Sequence, residues 1–262
     1  MESSLFEIHY RQALALFDLG LEKPYILYSL DDFLDFPAEK KPLTFLVDEC
    51  VAKMPHEESG ETFVDLNAFL LDRKSDCVCA HGVAKYGAQD GNMKLRKSVA
   101  EKLVMAEQFL KSLSGEHLSL KITDAHRPMA LQRLYYDQIL REIEENEGLT
   151  GTALYEKAGM YISPPHFFPP HTTGGAIDLT ILDLNKQQEL DMGSQIDDTE
   201  DKVMMFYSKL SHEQKENRAR LFASMLSAGF VNFPAEWWHY SYGDKEWAMR
   251  SQKPHAIYTP QD

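Results

Sequence analysis

The spacing of apolar residues predicts a globular chain that mixes amphipathic helices with short strands. Hydrophobic residues make up 44% of the 262 residues, enough for one large core or a core with a smaller appendage. Several runs repeat their apolar residues at the helical period, and others alternate them with a period of two.

Leu5, Phe6, Tyr10, Ala13, Leu14 and Phe17 fall at helical spacing and mark the first helix. The rest of the first 95 residues mixes short apolar runs with Gly and acidic residues and carries no legible function. Residues 1–95 are therefore treated as an N-terminal extension, packed on or continuous with a core spanning 96–262. From Arg96 the pattern sharpens. Val99, Leu103, Ala106 and Leu110 line one helix face that ends at Ser114-Gly115, and Leu118, Leu120 and Ile122 then alternate as a strand. That strand delivers Asp124-Ala125-His126-Arg127-Pro128. Pro128 suits the first turn of a following helix whose stripe reads Leu131, Leu134, Tyr135, Ile139.

Residues 148–175 carry Pro164, Pro165, Pro169 and Pro170, which predicts a loop of restricted backbone that walls a site. Ile177, Leu179 and Ile181 then alternate like a half-buried strand, with Asp178 on the opposite face. An acidic, polar insertion follows through Asp201. Ser211 with Gln214 forms a capping box for a helix that buries Leu221, Phe222, Met225 and Leu226 and closes at Gly229. Phe230, Phe233 and the run from Trp237 to Tyr242 complete the core as one or two strands.

A net charge of -14, with no run of Lys or Arg, argues against nucleic acid as a partner, because neutralising phosphates needs a basic surface. Small molecules are the expected partners, and oligomeric state is not readable. No signal-type segment or membrane-length apolar stretch is visible, so the expected compartment is the cytoplasm. Cys50, Cys77 and Cys79 are odd in number, and Cys-x-Cys is too short for a zinc knuckle; they are read as reduced thiols.

The chemistry concentrates in two stretches, 169–181 and 236–239. His171 sits in the Pro-bounded loop, Gly174-Gly175 turns the chain, and Asp178 follows seven positions after the imidazole. With His239 they supply the three protein ligands of a catalytic zinc site that leaves a position to water. Glu236, three residues before His239, would then stand near the open position as general base. A regular pleat places Glu236 and His239 on opposite faces, so this arrangement requires a bulge or tight turn between Pro234 and Trp238. Each residue alone also fits a plainer role: a packed histidine, a strand-end aspartate, tryptophans in a core. His126 fits scaffold and site wall equally. A zinc-stabilised domain without hydrolysis would need neither Glu236 nor Arg127. A non-haem iron site usually spaces its first His and carboxylate one residue apart rather than seven.

His171-x-x-Gly174-x-Ala176-x-Asp178 with Glu236-x-Trp238-His239 closely resembles the zinc signature of the D-alanyl-D-alanine dipeptidases, the VanX-like branch of the M15 metallopeptidases. Asp124-x-x-Arg127-Pro128, Met192-Gly193-x-x-x-Asp197 and Asn217-Arg218-x-x-Leu221 look like further motifs of that family in the expected order, and the resemblance covers roughly Arg96 to Gly243. It implies an α+β fold of the hedgehog and D,D-peptidase type, a small, mainly antiparallel sheet with packed helices. It also implies one Zn²⁺ per chain on His171, Asp178 and His239 and a short dipeptide substrate. Glu236 would be the base, Arg127 the transition-state arginine and Asp197 the partner of the substrate's amino group. Two positions depart from the family. Pro169 stands where a Ser is usual, and Asn67-Ala68-Phe69 behind Asp65-Leu66 lacks a tyrosine that lines the family's pocket. A D,D-carboxypeptidase or L,D-endopeptidase activity is the alternative if these changes open the pocket.

Overall fold

Phe6, Ala13 and Phe17 become the buried face of α1 (Glu2–Phe17) in the computed structural model, which describes residues 2–80, 93–159 and 161–262. A string of short elements follows: β1 (Tyr25–Leu27), α2 (Leu30–Asp35), β2 (Thr44–Leu46), α3 (Asp48–Ala52), β3 (Phe63–Asp65), α4 (Leu66–Asp72), β4 (Val78–Cys79) and β5 (Lys94–Arg96). Their brevity explains why no periodicity marks them, since a three-residue strand holds too little of any pattern. Asp65 caps α4 by accepting from the Ala68 amide.

The sheet that organises the fold begins after α5 (Lys97–Ser114) with β6 (Leu118–Asp124). α6 (Met129–Glu147) and α7 (Gly151–Gly159) come next, followed by β7 (Ala176–Asp183), β8 (Gln188–Glu189), α8 (His212–Ser227), β9 (Val231–Asn232), β10 (His239–Ser241) and α9 (Lys245–Arg250). Six strands run in the order β4-β6-β7-β10-β9 with β8 beside β7, all antiparallel except the parallel β4–β6 pair. This is the expected α+β arrangement, with α1, α5 and α8 packed together and one core running from Phe6 through Leu103, Ile181 and Phe222 to Tyr258. Among the described residues no helix is long and apolar enough to cross a membrane.

Three expectations are corrected. β7 is buried along its whole length rather than on one face, because its second face, bearing Asp178, Thr180 and Leu182, is covered as well. The segment 148–175 is not all loop: α7 occupies part of it and packs Leu154 and Ala158 against α6. The buried stripe of α6 is Gln132, Tyr136, Ile139 and Ile143, while Leu134 faces solvent. A polar and an amphipathic residue hold that face, so a search for Leu and Ile picks a neighbouring stripe. Pro128 stands one residue before α6, as its N-cap.

Two parts of the scaffold fix the loops around the sheet. Arg218 on α8 is fully buried and donates from Nε to Met192 O at 2.7 Å, from Nη1 to Met204 O at 2.6 Å and from Nη2 to Lys202 O at 2.7 Å. Asn217 beside it donates to Asp191 O at 3.0 Å. The 191–205 segment, which carries Asp197, is thus tied to the helix by its own carbonyls. Arg218→Met removes the donor of Met192 O and Lys202 O, while Met204 O keeps the Tyr207 amide; with each lost partner worth roughly 1–3 kcal/mol when buried, the change should lower unfolding stability by about 2 kcal/mol or more in a urea titration.

Asp48 opens α3 and its Oδ2 accepts from Ser163 Oγ at 3.4 Å. Burial, with Glu246 nearby, pushes its carboxyl up to about 6 from the ordinary 3.8, against a smaller opposing contribution from the Ser163 hydrogen bond. The folded state therefore binds more protons than the unfolded chain between those values. Stability from this group falls as pH rises through the window and stays low above it. Asp48→Asn should stabilise the protein at pH 8 by on the order of 1–3 kcal/mol relative to wild type and by much less at pH 4, measured by denaturant titration at both.

Candidate metal and catalytic site

β10 lies antiparallel to β7 with His239 directly opposite Asp178. His239 Nδ1 is 2.9 Å from Asp178 Oδ1, so a cross-strand pair already brings two of the three proposed ligands together. The third arrives from the Pro-bounded loop. Pro170–Thr173 forms a 3-10 turn that ends at Gly174, whose φ of 73° and contact with the Phe63 ring leave no room for a Cβ. Arg96 holds this loop from behind, donating from its amide to Gly174 O at 3.1 Å and from Nε to Thr173 O at 2.9 Å.

His171, Asp178 and His239 are all buried, and their ligand atoms form a cluster suited to a metal ion. His171 Nε2 lies 3.2 Å from His239 Nδ1 and 3.3 Å from Asp178 Oδ1. A tetrahedral ion with metal–nitrogen bonds of about 2.0–2.1 Å holds its ligand atoms about 3.3 Å apart, so the three separations fit such an ion. His171 Nδ1 donates to Ala125 O at 2.8 Å, which fixes the ring with Nε2 facing His239 and Asp178. Burial opposes protonation of His171, yet the Asp178 and Asp124 carboxylates outweigh it and raise the ring to about 9. Asp178 is held well below the usual carboxylate range by His171 and His239 in spite of its burial. Negative charge in this pocket calls for a cation, either a proton or a metal ion.

The required distortion before β10 is present. Glu236 N donates to Phe233 O at 3.0 Å and His239 N to Glu236 O at 3.3 Å, while Asn232 Nδ2 donates to the carbonyls of Glu236 and His239 at 3.2 and 3.0 Å. The turn brings Glu236 Oε2 to 3.9 Å from His239 Nδ1, on the ligand side of the strand. Burial pushes the Glu236 carboxyl up to about 7, with Asp178 and Asp197 adding to the shift and His239 and His171 opposing it. Trp237 and Trp238 belong to the core and pack edge to face with ring centroids 5.4 Å apart.

Arg127 is brought to the same pocket by the β6–α6 junction, its amide donating to His171 O at 3.0 Å. Its Nη2 pairs with Asp124 and its Nη1 donates to Gln132 Oε1 at 2.9 Å. Asp197 lies in the exposed 191–200 loop with a left-handed φ of 65°, near enough for its charge to act on Glu236. Sequence reasoning did not single out Gln132 or Arg96. Neither belongs to a spacing pattern, and only the folded structure shows what each holds. His126 stands against Phe63 with ring centroids 4.5 Å apart, and Phe69 on α4 packs under the Arg73 guanidinium and against the main core.

The profile of the D-ala-D-ala dipeptidases of the M15 peptidases matches residues 60–257, a longer span than the motifs alone indicate. A D-alanyl-D-alanine dipeptidase of Synechocystis is 30% identical over 77% of this chain and 90% of its own length. Shorter stretches match dipeptidases of the same name from Enterococcus faecium, 35% identical over 29% of this chain and 37% of the relative, and from Escherichia coli, 36% identical over 27% and 36%. Among solved structures, a zinc-bound vancomycin-resistance D,D-pentapeptidase aligns over 68% of this chain and 90% of its own length with a TM-score of 0.38 and 14% identity, too distant to bear on the site. The extent of the profile match and the Synechocystis alignment show that the chain belongs to the D-Ala-D-Ala dipeptidase family of M15 peptidases.

Proposed function

We propose that the protein is a zinc dipeptidase, with one ion per chain, that hydrolyses D-Ala-D-Ala or a closely related short dipeptide. The observation that carries this is the set of three buried ligand atoms at tetrahedral spacing with Glu236 beside them. Zinc on His171, Asp178 and His239 would polarise the scissile carbonyl and acidify a water molecule. Glu236 takes the proton from that water and hands it to the leaving amine. A carboxyl pushed up to about 7 suits both halves of that task near neutral pH. Arg127 donates to the oxygen that gains charge as the carbonyl is attacked, and its partner Asp124 keeps the half-buried guanidinium in place. Asp197 pairs with the substrate's ammonium group and so selects short peptides with a free amino end.

A closed structural zinc site needs neither a base nor an oxyanion donor beside its ligands, so the presence of Glu236 and Arg127 favours the catalytic assignment. The free thiols of Cys50, Cys77 and Cys79 are consistent with a reducing compartment such as the cytoplasm. The second activity, carboxypeptidase or L,D-endopeptidase, is kept open by the two departures from the family pattern, Pro169 and the Asn67-Ala68-Phe69 run without a tyrosine.

Glu236→Gln keeps the side chain's shape and all three ligands, yet cannot accept a proton. Its zinc content should match wild type while kcat on D-Ala-D-Ala falls by roughly 10²–10⁴, whereas His239→Ala should lose zinc and activity together. Both quantities are to be measured on the same preparations; an unchanged rate in Glu236→Gln refutes the base. Removing one partner of a desolvated charge pair costs about 2–5 kcal/mol, so N-acetyl-D-Ala-D-Ala should be cleaved at least about thirtyfold more slowly than the free dipeptide. Equal turnover of the two would point to the carboxypeptidase instead.

A further inference from the structure

We infer that Gln132 is the positioning residue for Arg127, locking the guanidinium in its working orientation and linking it to the loop that carries His171. The inference rests on the proposed role of Arg127, but its geometry stands on its own. Gln132 is 1% exposed and lies at the start of α6, on the stripe that the helix buries. Its amide has two ends, and each has one partner of fitting chemistry. Oε1 accepts from Arg127 Nη1 at 2.9 Å, and Nε2 donates to Ser163 O at 2.8 Å. Turning the amide over would set donor against donor and oxygen against oxygen, so the orientation is determined by its neighbours.

The guanidinium is held at both terminal nitrogens, by Asp124 from β6 and by Gln132 from α6, with the Tyr135 ring 5.3 Å from its central carbon. One ion pair alone leaves a planar group free to swing about that corner. The two anchors differ in charge, and the difference has a consequence. Asp124 already balances the half-buried cation. A second carboxylate at position 132 would fix the plane equally well but would cancel the positive charge that a developing oxyanion needs. A neutral amide fixes it and leaves the charge in place.

The other end of Gln132 reaches the loop. Ser163 precedes Pro164, and the Pro-bounded segment from there leads to His171, whose carbonyl accepts from the Arg127 amide. Gln132 therefore ties the arginine to the backbone of the segment that delivers a metal ligand. A shift of this loop would reach Arg127 by two routes, the His171 carbonyl and the Gln132 amide.

The test uses the zinc-loaded full chain and the variants Gln132→Leu, Gln132→Glu and Arg127→Ala, with Gln132→Leu also placed in the Arg127→Ala background. Gln132→Leu should retain zinc and lose about 10- to 100-fold in kcat on D-Ala-D-Ala with KM changed far less, since a misoriented group costs rate more than binding. In the Arg127→Ala background the same change should cost less than about twofold, because Gln132 acts through the arginine. Equal losses in both backgrounds, loss of zinc in Gln132→Leu, or a wild-type rate would each overturn the inference. A second readout needs no turnover. Side-chain nitrogen NMR should show two distinct, slowly rotating Nη groups for Arg127 in wild type and in Gln132→Glu, which keeps the acceptor, and collapsed signals in Gln132→Leu. Retained separate signals in Gln132→Leu would refute the positioning role whatever the substrate. Absence of hydrolysis by the wild type, with the NMR difference intact, would refute the proposed function alone.

Discussion

His239 faces Asp178 because β10 pairs with β7 in one register, and that register is enforced by the hydrophobic pattern of β7. Ile177, Leu179 and Ile181 enter the main core, which leaves Asp178 on the other face with no freedom to move. A slip of one residue would drive the carboxylate into that core and turn the isoleucines toward the ligands. The free energy that holds the sheet together is thus the same free energy that sets Asp178 against His239. The site does not have to be stabilised separately.

His171, the third member of the cluster, depends on a different kind of constraint, a loop pinned by backbone hydrogen bonds. Arg96 supplies much of that pinning. Its guanidinium is 3% exposed, lies 3.0 Å from Glu58 and sits between the Phe63 and Tyr258 rings, with its central carbon 4.6 and 5.0 Å from their centroids. A buried cation in such a position contributes little net stability, because desolvation offsets most of its ion pair. What it provides is definition: the carbonyls of Thr173 and Gly174 have one donor each from Arg96 and one place to be. Glu58 and Phe63 come from the part of the chain that carries no motif, so residues before Arg96 take a direct part in shaping the His171 loop.

The legibility of the site in the sequence follows from these mechanics. His171, Asp178 and His239 could be named because their spacing is dictated by a turn, a strand and a paired strand, and those leave marks: Gly174-Gly175, the alternation of 177–181, Pro234 ahead of the final strand. The capping box of α8 was readable for the same reason, two polar residues at a fixed offset. The short strands before β6 left no such marks, and their pairing, β3 with β5 and β4 with β6, is long-range information that no local window contains. The stripe of α6 was misassigned because its buried face includes a glutamine kept there by two hydrogen bonds rather than by hydrophobicity. Where polar contacts decide burial, apolar periodicity is silent.

Charge balance completes the argument. Asp124, Asp178, Asp197 and Glu236 converge on a space that among the described residues is answered by Arg127 and the two imidazoles. Of these carboxylates only Asp178 is buried, while the Asp124 and Glu236 side chains are 35% and 34% exposed and Asp197 faces solvent, so the demand for positive charge is greatest at Asp178. His171 is raised so that it carries a proton, and Glu236 is raised so that its own proton is held more tightly. A divalent cation on the three ligands would remove the need for the first and weaken the second. The fold thus sets three buried side chains that could hold a cation beside a carboxyl whose proton affinity is raised first of all by burial.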